Sequence, residues 1–103
     1  MNTGYNVIDG KLISYSGNEE RILLDNNIIE VSDNAFRYNK SIKFVIIPFA
    51  IKIGNEAFKG CTSLEEVIIM GNLKEIGNEA FSMCISLKEV HLPDSVTTIG
   101  SNA

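Results

Sequence analysis

The sequence predicts an α/β solenoid: a right-handed coil with a parallel sheet on one face, short helical turns on the other and an N-terminal β-hairpin cap. Three observations carry that expectation. The string KIGNEAFKGC at residues 52–61 returns as EIGNEAFSMC at 75–84, so Ile53, Phe58 and Cys61 recur 23 positions later as Ile76, Phe81 and Cys84. A period of that length marks a stacked repeat. Short β-branched strings (FVII, EVII, EVHL) recur with the same spacing and alternate like strands. Finally, Asp33, Asn55, Asn78 and Ser101 occupy one repeat position, and all belong to the set that caps helix N-termini.

The elements follow in chain order. DGKLISYSG at residues 9–17 reads as strand, turn and strand, the cap, which is assigned to residues 1–24. Residues 25–103 hold the repeats: a degenerate one around Ile28 to Phe36, two full ones and a truncated last one. Ser41–Ile47, Ser63–Ile69 and Ser86–Leu92 are the equivalent strand-bearing stretches, the first interval being 22 residues because PFAIKIG is one residue short. Within a strand, Leu64, Val67 and Ile69 should point inward, and Glu66 and Ile68 outward. At the cap-type residue a single helical turn should open, its Ala permitting close approach and its Phe plugging the core. Phe36, Phe58 and Phe81 should then stack as an aromatic spine, with Val31, Ile53, Ile76 and Ile99 as an aliphatic one. No repeat buries its apolar side alone, so the stack makes the core.

Composition narrows the function. With 103 residues, 45% hydrophobic and 21% charged, the chain is one domain of ordinary globular make-up. A net charge of −4 argues against a nucleic-acid binder. The longest apolar run, Phe44–Ile51, is broken by Pro48 and is far too short to insert into a membrane. The Met1–Gly4 start has neither a basic region nor an apolar core, so no signal peptide is read there. The chain stops at Ala103, one residue before the Phe that the period expects, which suggests a longer parent protein.

The pattern of LKEVHLPDSVTTIG at residues 87–100 joined to IGNEAFSMC at 76–84 resembles the BspA-like, or Treponema-type, leucine-rich repeat family. The resemblance covers roughly residues 20–103, and the hairpin at 9–17 resembles that family's cap. Met70-Gly71 where Pro is expected, Asn39 in the Cys position and the shortened Phe49–Ile53 stretch depart from it. The resemblance implies a leucine-rich repeat solenoid that binds proteins or host surfaces, in a secreted or cell-surface protein, with the cytoplasm left open.

Residues of a type that carries chemistry are few. Two cysteines fall short of the four ligands of a structural zinc site, so no metal is expected on them. Buried, reduced thiols are the main reading, with a disulfide between adjacent turns as the alternative. Asn39-Lys40-Ser41 is a formal glycosylation sequon, but its ladder position points it inward. His91, the single histidine, should face outward beside Glu89 as a solvated side chain, with no ligand or nucleophile cluster around it. No catalytic constellation, metal site or cofactor site is therefore expected, and an enzyme is the least favoured reading.

The outward strand positions remain. One column runs Arg21, Phe44, Glu66, Glu89, and its neighbour runs Leu23, Ile46, Ile68, His91. Leu23, Phe44, Ile46 and Ile68 make this face more apolar than solvation requires, which marks Leu23, Phe44, Ile46, Glu66, Ile68, Glu89 and His91 as the candidate partner-binding surface. The alternative is that β-branched residues simply suit strands. The exposed strand edge at Val90–Leu92 and the same sheet face offer two routes to self-association. The expected function is a non-catalytic interaction module for a protein, host or extracellular-matrix partner, adhesion included. A structural spacer or capping fragment of a longer repeat protein is the alternative.

Overall fold

A computed structural model describes residues 4–103; Met1–Thr3, which begin the expected cap and the stretch read for a leader, lie outside the described residues. The fold starts with an antiparallel hairpin, β1 (Tyr5–Ile8) and β2 (Lys11–Tyr15). Asp9 and Gly10 join them, both with positive φ (51° and 79°). That is what a two-residue hairpin loop requires, and Asp-Gly supplies it at little steric cost.

After the hairpin the chain coils. It lays down β3 (Arg21–Leu23), β4 (Glu30–Val31), β5 (Phe44–Ile47), β6 (Lys52–Ile53), β7 (Glu66–Ile69), β8 (Glu75–Ile76), β9 (Glu89–His91) and β10 (Thr98–Ile99). Successive strands alternate between two sheets. One is four-stranded, β3-β5-β7-β9, and wholly parallel; the other runs β1-β2-β4-β6-β8-β10, parallel except for the hairpin. Each turn of the coil adds one strand to each sheet, so about four turns form a β-solenoid.

Alternation inside the strands sets the core. Val45, Ile47, Val67 and Ile69 are buried while Phe44, Ile46, Glu66 and Ile68 lie outward and are only partly covered. From the second sheet Leu12, Val31, Ile53 and Ile76 stack toward the same interior. Ile99, next in that ladder, is 58% exposed at the last turn.

One expectation is corrected here: the described residues contain no helix, so the fold is a β-solenoid rather than an α/β one. Residues 33–38, 55–60 and 78–83, where helical turns were expected, are runs of overlapping β-turns. Positive φ recurs at Asn34, Glu56, Glu79 and Asn102 (54–63°), and again at Tyr38, Gly60 and Met83 (61–74°). These left-handed residues turn alternate peptides along the stack. Thus Ala57, Lys59 and Cys61 donate back to Gly54, Glu56 and Phe58, whereas Glu56, Phe58 and Gly60 donate to Asn78, Ala80 and Ser82 of the next turn. A helix would keep every bond within the segment. Here half of them tie one turn to the next, which offsets the cost of about 1–2 kcal/mol for each non-glycine left-handed residue.

The cap-type residues find a different partner for the same reason. Asp33 Oδ1 accepts the Asn55 N–H (2.7 Å), Asn55 Oδ1 that of Asn78 (2.8 Å), and Asn78 Oδ1 that of Ser101 (2.8 Å). The side chains do cap a backbone donor, but one turn along the stack rather than within their own turn.

Candidate functional site

The four-stranded sheet determines which side chains share its outer face. Its register pairs Arg21 with Phe44, Phe44 with Glu66 and Glu66 with Glu89. Two residues further along, Leu23 pairs with Ile46, Ile46 with Ile68 and Ile68 with His91. Residues two apart on a strand share a face, so all seven candidate residues and Arg21 lie together in two columns.

Their environments differ along the stack. Leu23 is 68% exposed, Phe44, Ile46, Glu66 and Ile68 are partly covered, and Glu89 and His91 are exposed. The Arg21 guanidinium lies 4.8 Å from the centre of the Phe44 ring, a cation–π contact that half-covers the aromatic. The face therefore grades from an aliphatic and aromatic end at β3 and β5 to an anionic end at β7 and β9. Beside Leu23, a groove of about 350 Å³ lies between the hairpin and β3, lined in part by Tyr5, Val7 and Ile28. The repeat period does not point to it, because it forms where the hairpin meets the coil.

His91 requires a second correction. It is exposed and faces outward beside Glu89, as expected, but a cluster does surround it: its Nε2 lies 3.0 Å from Glu66 Oε2 and 3.1 Å from Glu89 Oε2. Glu66 sits one turn back in the neighbouring column. The period places Glu66 and His91 on one face of adjacent strands, but the contact itself depends on side-chain length, which the period does not give.

Polar groups elsewhere are engaged in building the stack. Cys61 and Cys84 are free, and each thiol donates to a carbonyl of the preceding turn, Phe36 and Phe58, at 3.1 Å. Burial pushes the Cys61 thiol up to about 12, with a further rise from Cys84 and a partial offset from the Asn39 backbone. Burial likewise takes Cys84 to about 11. Neither is a nucleophile near neutrality. Asn39 fills the thiol position by donating from Nδ2 to the Gly17 carbonyl, while its Oδ1 accepts from Ser41 and Ile42. The amide nitrogen of the sequon is thus already used. On the turn side, Lys59 bridges Glu56 (3.8 Å) and Glu79 (2.8 Å), and Arg37 pairs with Glu56 (3.3 Å). This chain of ion pairs was not read from the sequence, although positions 37 and 59, like 56 and 79, are one period apart.

Comparison with known proteins places this geometry in context. Residues 2–103 match the BspA type leucine rich repeat region in six copies. A leucine rich cell surface protein of Faecalibacterium prausnitzii A2-165 is 33% identical, with a TM-score of 0.81, over 88% of this chain and 28% of its own. The leucine rich repeat protein of T. pallidum is 30% identical, with a TM-score of 0.61, over 89% of this chain and 56% of its own. This chain therefore spans about a quarter and about half of those two proteins. No curated protein matches it. Among the described residues no helix is long and apolar enough to cross a membrane.

Proposed function

Because the chain belongs to the BspA-type leucine-rich repeat family, we propose that it is a non-catalytic interaction module. Its outer four-stranded face would bind a protein partner on a host surface or in the extracellular matrix. One observation carries the proposal: Leu23, Ile46 and Ile68 are held in register as an outward aliphatic column, next to Phe44 and above an acidic end. A column of that kind is more apolar than a solvated sheet face needs, and contiguous exposed apolar surface marks contact sites. The likeness to a cell surface protein supports a secreted or cell-surface setting.

The test is binding of the labelled chain to intact host cells and to immobilised matrix proteins. Saturable binding by the wild type should be lost in the Ile46→Lys, Ile68→Lys double variant and kept in Arg37→Ala on the turn side. Equal binding by the double variant would move the contact elsewhere. Absence of binding by every form would favour a spacer role.

A further inference from the structure

The cluster at the acidic end of the sheet face has a geometry that a surface histidine does not require. Glu66 and Glu89 are direct partners across the parallel pair β7–β9. Two like charges so placed repel, in a chain whose net charge is already −4. His91 is two residues beyond Glu89 and shares its face, and its Nε2 lies between the two carboxylates, 3.0 and 3.1 Å away. One ring nitrogen carries at most one proton, so it can serve only one of these oxygens well at a time.

We propose that Glu66, Glu89 and His91 form a binding site for a divalent transition-metal ion of the zinc class. The three donor atoms lie within 4.8 Å of one another. Bonds of 2.0–2.2 Å arranged as a tetrahedron set donor–donor edges of roughly 3.3–3.6 Å. The His91 nitrogen already lies 3.0 and 3.1 Å from the two oxygens, and the remaining edge must close from at most 4.8 Å. One imidazole nitrogen with two carboxylate oxygens suits zinc, whereas calcium takes six to eight oxygens and magnesium a near-octahedral oxygen shell. The ion would take the place between the ring nitrogen and the two oxygens and neutralise the facing carboxylates. The cluster is open to solvent, with the His91 side chain 50% exposed. Three protein donors thus leave a fourth position for water or for a donor atom from outside the chain. The backbone supports the arrangement, because parallel pairing fixes all three Cα positions before any ion arrives.

Calorimetric titration of the folded chain with zinc alone tests this independently of any protein partner. The expected result is saturable 1:1 binding that Ca²⁺ and Mg²⁺ do not displace. His91→Ala and Glu66→Gln should each weaken it more than about tenfold, equivalent to about 1.4 kcal/mol. All three side chains are at the surface, so the variants should keep the wild-type circular dichroism. Should either fail to fold, nitrogen NMR of the wild type decides instead, because zinc must then shift the His91 Nε2 resonance. Absence of saturable binding, binding unchanged by His91→Ala, or an unmoved Nε2 resonance would overturn the proposal.

Discussion

Phe58 lies between two nearly parallel rings, 4.8 Å from Phe36 and 5.3 Å from Phe81, and is fully buried. Its truncation removes the middle of a stack that Tyr15 and Tyr5 extend through the hairpin, at centroid spacings of 5.5 and 4.6 Å. Phe58→Ala should cost about 3–5 kcal/mol, measured by denaturant unfolding, from lost burial and the cavity left behind. A loss under about 1 kcal/mol would place Phe58 among surface residues. The thiols give a second expectation. In the native state burial pushes Cys61 up to about 12 and Cys84 up to about 11, against an ordinary 9.0. A proton held more tightly when folded contributes stability that is complete below the unfolded value and is lost as pH rises through the folded one. Thermal stability should therefore fall from about pH 9 upward, and a Cys61→Ala, Cys84→Ala variant should lose part of that slope. Thiol titration should find two groups in denaturant and strong protection in the native protein.

The turn segments show how neighbouring coils constrain each other. A Cβ added to Gly77 would lie 2.6 Å from both the backbone nitrogen and Oδ1 of Asn55, atoms of the ladder one turn earlier. Something must shift, and the nitrogen belongs to the backbone. Gly77→Ala should therefore destabilise by about 1–3 kcal/mol, as overpacking does. Asn55→Ala should cost about 0.5–1.5 kcal/mol by removing the acceptor of the exposed Asn78 N–H. The repeat of IGNEAF made the existence and spacing of these segments legible, as well as the burial of Ala57, Phe58 and Ala80. Their conformation was not legible. Asp and Asn at one repeat position can satisfy a backbone donor in either structure, and only the presence of a neighbouring turn decides which donor. Local propensity lost to bonds made 22 or 23 residues away.

Across the whole molecule, the period proved a better guide than the propensity of any one segment. It gave both outward columns of the four-stranded sheet in the pairing observed, from Arg21 to Glu89 and from Leu23 to His91. It missed the Glu66–His91 contact, which joins different columns on adjacent turns and depends on side-chain length. The groove beside Leu23 was equally hidden, since the hairpin does not follow the period. All of these surfaces depend on one proposition: alternate peptides of each turn segment bond to the next turn, and this keeps the columns in register. The Phe58 N–H tests it most directly, since it donates to Ala80 across the turns at 2.8 Å. An NMR measurement of scalar coupling through hydrogen bonds should correlate the Phe58 amide nitrogen with the Ala80 carbonyl carbon. Correlation with the carbonyl of Gly54, four residues back in the same turn as in a helix, would contradict it.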